Sequence, residues 1–390
     1  MNKLFKNTML ALAVAVLGLS FNSCDDDDNK GGEHEVLFQQ ILSSYVDGTV
    51  IPTYKAMAEA ALDMQTANNA LKEGVTDAKI EAAASAWMAA RIWWEKSEAF
   101  LFGPVAEDGF NIDAHIDSWP LELEDIKKEI EEKNGNITSE QAWNEEEGVI
   151  GFHTTEYLLF RDGKPRKADE LTAAEVKYLT AVTDALVWDC VLAYVAWAGE
   201  SNVSSAILAV FNSNEDVLDF YNEPTRKSKQ DFGEKMKAGE PQYPSLEAAV
   251  SEISEGAKTI AEEVGATKIA APYDDRLIEE VESWYSWHSL DDYTNNIESI
   301  KNAYLGGLGN SSRTPKACLS TYVAKVDANL DQAIRAKIDD CIEKIQNIGK
   351  DGKSFYEVVR DQTNEAEVEA AVAACLELRD LFGKITEKLQ

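Results

Sequence analysis

The chain has 390 residues, of which 45% are hydrophobic and 27% are charged, so it can bury a large core. Its 70 acidic residues against 37 Lys and Arg residues give a formal net charge of −33. A surface of that charge repels phosphate groups, which excludes nucleic acid as a partner. Beyond the N-terminal stretch, the sequence predicts no apolar run long enough to span a bilayer.

Residues 1–24 have the pattern of a bacterial lipoprotein signal peptide. Two lysines precede an apolar run, and a small residue comes directly before Cys24. We predict that Cys24 is acylated and that residues 25–34 form an acidic tether. The run Asp25-Asp26-Asp27-Asp28 resembles the export tag of Bacteroidetes surface lipoproteins. The predicted location is therefore the outer membrane, facing the cell surface or else the periplasm. The alternative is a signal peptide followed by a solvated charge run.

From residue 35 onward, the composition and the apolar spacing predict helices almost everywhere. Capping boxes at Thr138-x-x-Gln141 and Thr172-x-x-Glu175 each predict a helix start. The least patterned stretch, residues 222–244, is the predicted linker between domains. The sequence thus predicts an all-α protein with helical bundles over residues 35–220 and 245–390.

Four further cysteines, at positions 190, 318, 341 and 375, are widely spaced. This spacing excludes zinc ribbons and thioredoxin motifs, which need close cysteine pairs. Disulfides among them are left open, although Cys341 and Cys375 lie on apolar helical stripes, which favours buried thiols.

Polar residues interrupt the apolar faces of two predicted helices in the first half of the chain. In the helix over residues 81–102, Arg91 and Glu98 share an arc with two tryptophans. A buried charge needs a partner, so these residues pair with each other, with a neighbouring helix or with a ligand.

In the second helix, His153 and Glu156 lie three residues apart, so both side chains can reach one point. Gly148 and Gly151 would let another backbone approach closely. This spacing is the reverse of the Glu-x-x-His pair that holds metal in di-iron bundles. The alternative is an ordinary core histidine, but the nearly all-apolar helix favours a functional role.

Two other stretches carry clustered polar residues. The predicted loop over residues 111–120 contains Asp117, which either serves a site or caps a helix after Pro120. In a later predicted helix, Ser289, Asp292 and Asn296 follow one border of the buried stripe.

Together these motifs resemble the imelysin family of envelope proteins. The matching motifs, in chain order, are Trp87-x-x-x-Arg91-x-x-Trp94, Ile116-Asp117-Ser118-Trp119-Pro120, Gly151-x-His153-x-x-Glu156 and Ser286-x-x-Ser289-x-x-Asp292-x-x-x-Asn296. The resemblance implies two related helical bundles with a site near their interface. It implies that His153 and Glu156 are motif residues. The other site residues it implies are Arg91, Glu98, Asp117, Ser289, Asp292 and Asn296. The family includes a protein described as an insulin-cleaving metallopeptidase and others linked to iron regulation or uptake.

The residues favour metal binding over catalysis. Zinc peptidases with a His-Glu-x-x-His helix carry a glutamate next to the first histidine, and Thr154 occupies that place here. One histidine with carboxylates fits iron or calcium as well as zinc. If the chain is a peptidase, Glu98 is the candidate base and Glu156 the other catalytic residue.

The sequence therefore predicts a lipid-anchored protein that binds iron or a metal-bearing ligand through His153 and Glu156. Arg91, Asp117, Ser289, Asp292 and Asn296 are predicted to contribute to binding. The predicted partners are the membrane, through Cys24, and metal-uptake components. The alternatives are a metallopeptidase and a scaffold lipoprotein in which the histidine and glutamate only bind each other.

Overall fold

The computed structural model describes residues 28–239, 243–309, 313 and 317–389. The predicted signal peptide, Cys24 and residues 25–27 lie outside the described residues. Within them the regular secondary structure is helical apart from one short hairpin, which confirms the predicted all-α class.

The helices before residue 240 are α1 (Asp28–Tyr45), α2 (Ile51–Asn69), α3 (Asp77–Glu95), α4 (Ile112–Asp117), α5 (Leu123–Glu131), α6 (Ser139–Trp143), α7 (Gly151–Leu159), α8 (Ala173–Ala198), α9 (Ser205–Phe211), α10 (Glu215–Tyr221) and α11 (Phe232–Ala238). The hairpin strands are β1 (Phe160–Arg161) and β2 (Lys164–Pro165), which pair antiparallel. Short 3₁₀ turns cover Ala70–Glu73, Glu98–Phe100, Glu200–Asn202 and Pro224–Lys229.

The later helices are α12 (Leu246–Glu262), α13 (Ala271–Asp275), α14 (Ser289–Leu305), α15 (Leu319–Val326), α16 (Ala328–Ile348), α17 (Phe355–Asp361) and α18 (Glu365–Leu389). A 3₁₀ turn covers Ile278–Glu280. Helices α12, α14, α16 and α18 pack on one another and bury the apolar stripes expected from the sequence. Both Cys341 and Cys375 are buried free thiols there, and Cys190 and Cys318 are free as well.

Local sequence sets several helix starts. The side chains of Thr138 and Thr172 accept hydrogen bonds from the backbone N–H groups three residues later. In return, the side chains of Gln141 and Glu175 accept hydrogen bonds from the backbone N–H groups of the two threonines. Both predicted capping boxes are therefore confirmed.

Helix α8 forms the centre of the first half, and α2, α6 and α7 pack against it. Its length and hydropathy would allow it to cross a membrane, but 94% of its most apolar window is buried inside the protein. The expectation that only the N-terminal stretch is that apolar was therefore wrong. A central core helix is apolar on every side, so by composition it resembles a membrane span.

Two predicted irregular segments are partly helical. The stretch expected to link the domains contains the 3₁₀ turn Pro224–Lys229 and helix α11, which packs on α1 and α8. Helix α1 begins at Asp28, so the backbone of the predicted tether is helical from that residue. The two bundle boundaries stay a prediction.

Wide π-helical turns follow α1 and α12, over Val46–Val50 and Glu263–Ala270. Each leads into a helix with proline at its second position, Pro52 or Pro272. Proline has no backbone N–H, so it is tolerated in the first helical turn. The second π turn carries Lys268 toward the contact between the two halves of the chain.

Candidate functional site

Arg91 lies at the centre of a buried ionic cluster between the two halves of the chain. Its guanidinium, 1% exposed, contacts four carboxylates: Glu95 at 2.5 Å, Glu282 at 2.6 Å, Asp292 at 3.5 Å, and Asp117. Burial opposes the charge, but these carboxylates outweigh it and raise the pKa of Arg91 further. The prediction that this arginine needs partners is met by acids from both halves.

The alternative of an Arg91–Glu98 pair on one helix was wrong. Helix α3 ends at Glu95, and Glu98 lies in the following 3₁₀ turn, where Lys268 Nζ is 3.7 Å from its carboxylate. Tertiary contact sets this turn, because Ser299 Oγ accepts a hydrogen bond from the next backbone N–H, that of Ala99. Burial raises the pKa of Glu98 and outweighs the attraction of Lys268, which lowers it.

Asp117 ends helix α4 and joins the cluster directly. One carboxylate oxygen contacts Arg91, and the other accepts a hydrogen bond from Trp94 Nε1 at 2.6 Å. The alternative role as a helix cap was wrong, since α5 begins at Leu123 without a side-chain cap. Burial opposes ionisation of Asp117, but Arg91 and His153 outweigh it and lower its pKa.

His153 lies on helix α7 with its ring completely buried. Its Nδ1 is 3.0 Å from Glu156 Oε2, as the spacing predicted. Its Nε2 lies 3.2 Å from Asp117 Oδ1 and 3.8 Å from Glu282 Oε1, without a well-aligned hydrogen bond. Burial and Arg91 oppose protonation, but the three neighbouring carboxylates outweigh them and raise the pKa of His153.

Glu156 connects the two halves of the chain. Its Oε1 accepts hydrogen bonds from the Ser286 backbone N–H at 2.8 Å and from Ser286 Oγ at 2.7 Å. Since its other oxygen faces His153, the glutamate fixes the imidazole against the second half.

The three polar residues predicted on one face of α14 are all buried at this contact. Ser289 Oγ donates to the Glu282 carbonyl at 2.5 Å, and Asn296 Nδ2 donates to Glu95 Oε2. Burial raises the pKa of Asp292 to about 6 against the attraction of Arg91. Asn296 therefore orients a carboxylate of the cluster, and Ser289 holds the backbone that carries another.

Sequence reasoning missed four charged members of the cluster: Glu95, Glu263, Lys268 and Glu282. Glu95 is four residues after Arg91, so helical i, i+4 pairing could have identified it. Lys268 Nζ lies 3.1 Å from Glu282 Oε2, but the irregular segments that carry these two residues have no motif spacing. Only the tertiary fold places them together.

The buried acids outnumber the buried cations. Six buried carboxylates belong to this cluster among the described residues, namely Glu95, Glu98, Asp117, Glu156, Glu282 and Asp292. Glu263, whose side chain is 43% exposed, lies at its edge, 3.9 Å from Lys268 Nζ. The matching cations are Arg91, Lys268 and protonated His153. Excess buried negative charge is costly, so the cluster requires added protons or another cation.

Three overlapping sets of ligand atoms, each set within 4.8 Å, are close enough to share one ion: Asp117–His153–Glu282, Glu95–Glu282–Asp292 and Glu95–Glu98–Asp117. Surface cavities of about 710 and 500 Å³ lie beside Phe38 and beside Glu129, and no residue of these three sets lines either one. The side chains of all six residues in these sets are at most 9% exposed, so the ligand atoms are in an enclosed position.

A separate histidine, His115 on α4, gives a pH-dependent prediction. Its Nδ1 lies 2.7 Å from Asp189 Oδ2. Burial opposes protonation, but Asp189 outweighs it and raises the pKa of His115 above the usual 6.5. The pair therefore stabilises the fold fully below pH 6.5 and loses this contribution as pH rises through the folded pKa.

We expect His115→Gln to lower the free energy of unfolding by about 1–2 kcal/mol at pH 6 and by less at pH 9. Urea unfolding at both pH values measures the difference. An equal loss at the two pH values would contradict the assignment.

Comparison with known proteins identifies the class to which this chain belongs. Residues 50–382 match the imelysin family, so the chain belongs to that family. Iron-regulated protein A of Synechococcus elongatus is 26% identical over 303 residues, which cover 77% of this chain and 72% of the relative.

Two solved structures are similar over nearly the whole chain. A Parabacteroides distasonis protein, assigned by its name to the iron-regulated protein A precursors, is 29% identical with a TM-score of 0.75 and covers 91% of this chain and 96% of its own. An imelysin-like protein from Psychrobacter arcticum is 15% identical with a TM-score of 0.54, covers 90% and 93%, and shows the fold alone. The chain is thus an imelysin-family relative of iron-regulated protein A with buried acid and histidine groups that could hold a metal.

Proposed function

We propose that this chain binds a metal ion, with a preference for iron, at the buried cluster between its two predicted bundles. The observation that carries the proposal is the pair of carboxylate oxygens, from Asp117 and Glu282, that face the unaligned Nε2 of His153. An imidazole nitrogen with carboxylate oxygens is a donor set that suits iron and zinc.

The charge of the cluster supports the same proposal. Arg91 and Lys268 already contact the candidate ligands, so an entering ion replaces part of these contacts and offsets the remaining excess of carboxylates. Glu156 would not bind the metal itself. Through its contact with His153 Nδ1 it would fix the orientation of the ligating imidazole.

The cellular setting is part of the proposal. Acylation of Cys24 would hold the protein on the outer membrane, where it would pass iron or a metal-bearing ligand to uptake components. The names of its relatives support iron over zinc or calcium, because they describe iron-regulated proteins.

Calorimetric titration of the purified full chain with Fe²⁺ under anaerobic conditions tests the metal site, with Zn²⁺ and Ca²⁺ as comparisons. We expect one saturable site that His153→Ala weakens at least tenfold. His34→Ala is the control, because His34 is exposed on α1, far from the cluster in sequence and absent from the three ligand sets.

Absence of saturable binding, or equal affinity in His153→Ala and wild type, would contradict metal binding at this cluster. A His153→Ala variant that only melts at a lower temperature, with its metal affinity unchanged, would instead identify a scaffold role.

A further inference from the structure

Six aromatic side chains form a continuous surface that leads outward from the candidate metal centre. This aromatic surface consists of Trp119, Tyr157, Trp284, Tyr285, Trp287 and Tyr356. Its rings follow one another at centroid distances of 4.6–6.4 Å, and all but Tyr285 are partly exposed. Aromatic rings that remain partly exposed in a row are available to stack on a ligand.

The inner end of the aromatic surface touches the candidate metal centre. The Trp119 ring lies 4.7 Å from the His153 ring. Its Nε1 is buried and has no hydrogen-bond acceptor among the described residues. A buried donor without an acceptor is costly, so an acceptor on a bound ligand would remove the penalty.

Arg161 lies over the middle of the aromatic surface. Its guanidinium carbon is 4.2 Å from the centre of the Tyr157 ring and 5.7 Å from that of Tyr285. One nitrogen, Nη1, donates to the carbonyls of Tyr157 and Phe160. No carboxylate of the described residues lies within 4.0 Å of its guanidinium, although acids outnumber bases 70 to 37 in this chain. Arg276 and Arg313 also lack such a partner, but Arg161 differs from the exposed Arg276 because it is half-buried against two aromatic rings.

The hairpin that carries Arg161 is fixed against the second half of the chain. Gly163 N donates to the Tyr285 carbonyl at 3.0 Å. A side chain at Gly163 would meet the Trp287 ring at 2.3 Å, and its φ of +71° also favours glycine. The guanidinium is therefore held in place before any ligand arrives.

We propose that Arg161 and the aromatic surface bind an anionic aromatic chelator, of the catechol-carboxylate class, that carries the metal to His153. This inference rests on the proposed function and adds the class of ligand. The anionic group would pair with Arg161, the ring would stack on the tryptophans and tyrosines, and its oxygens would accept from Trp119 Nε1.

The charge of Arg161 decides between partner classes. A purely apolar partner would bury the guanidinium without a counter-charge, which is costly, and a cationic partner would be repelled. An anionic aromatic ligand satisfies both the charge and the exposed rings.

Calorimetric titration of the full chain with metal-free 2,3-dihydroxybenzoate tests the proposal. We expect saturable binding that Arg161→Gln weakens at least tenfold and that Arg161→Lys partly restores. Cyclohexanecarboxylate, which has the charge without the aromatic ring, is expected to bind at least tenfold more weakly. Arg276→Gln is the matched control, because Arg276 is an exposed arginine outside the aromatic surface.

A second pair of variants tests stacking. Trp284→Leu should weaken binding of 2,3-dihydroxybenzoate at least fivefold, whereas Trp93→Leu should not, since Trp93 lies on α3 outside the aromatic surface. Melting curves of each variant show whether the fold is kept.

Separate titrations distinguish the two proposals. His153→Ala should lose Fe²⁺ and keep the metal-free chelator, and Arg161→Gln should lose the chelator and keep Fe²⁺. No chelator binding to wild type, or a folded Arg161→Gln variant with unchanged affinity, would overturn the inference even if Fe²⁺ binds.

Discussion

Replacing Arg91 by Met is expected to lower the free energy of unfolding by about 3–5 kcal/mol at neutral pH, a large part of the stability of a typical protein. Methionine keeps much of the side-chain volume but removes the charge that Glu95, Asp117, Glu282 and Asp292 share. Among the described residues, Lys268 and His153 would remain as the cations in contact with these buried acids. The loss therefore comes from uncompensated charge and not from a cavity.

Urea unfolding of wild type, Arg91→Met and the exposed control Arg276→Met measures this loss. The deficit should shrink from pH 7 to pH 5, because protonated carboxylic acids no longer need a neighbouring cation. Burial raises the pKa of Asp292 to about 6 even against the attraction of Arg91, so removing Arg91 raises this pKa further and favours proton uptake by the cluster as the pH falls. A loss below 1 kcal/mol at pH 7, or a loss that does not change with pH, would show that the cluster is not held by this arginine.

The parts of the fold and site that depend on local spacing could be predicted from the sequence. Capping boxes at Thr138 and Thr172 depend on residues three apart. The contact of His153 with Glu156 and the shared burial of the polar residues of α14 follow from helical periodicity, which any 3.6-residue repeat shows.

The remainder depends on tertiary contacts that no local pattern encodes. Projecting residues 81–102 as one helix placed Glu98 beside Arg91, but the chain turns after Glu95, and Ser299 from the other half binds the turn. Lys268 enters through a π-helical turn, and Glu282 through an irregular segment before α14. These two residues lie far apart from Arg91 in sequence, so only folding brings their charges together.

The net charge illustrates the same limit. A formal charge of −33 suggests an acidic surface, yet six acids are buried in one cluster. Composition alone cannot distinguish exposed acids, which keep the protein soluble, from buried acids, which need a positively charged partner. Burial and contact distances make this distinction here. For that reason the proposed metal site lies in the interior of the protein.

Replacing Gly151 by Ala is expected to separate Asp117 from His153. Gly151 begins α7 at φ +84°, and an added Cβ would lie 2.5 Å from the Ile116 carbonyl oxygen, which is backbone and cannot move aside alone. Helix α4 would have to shift, and Ile116 directly precedes Asp117. Backbone strain and overpacking together should cost at least about 3 kcal/mol of the free energy of unfolding.

Gly383→Ala is the matched control, because Gly383 lies within helix α18 with no atom within 4 Å of an added Cβ. Alanine there should raise the free energy of unfolding by up to about 1 kcal/mol, since it is the better helix former. Thermal and urea unfolding compare the two variants, and Fe²⁺ titration of any folded Gly151→Ala protein reports whether the ligand geometry survives. A Gly151→Ala variant as stable as wild type, with undiminished Fe²⁺ affinity, would show that close approach of α4 to α7 is not what aligns the carboxylate with the imidazole.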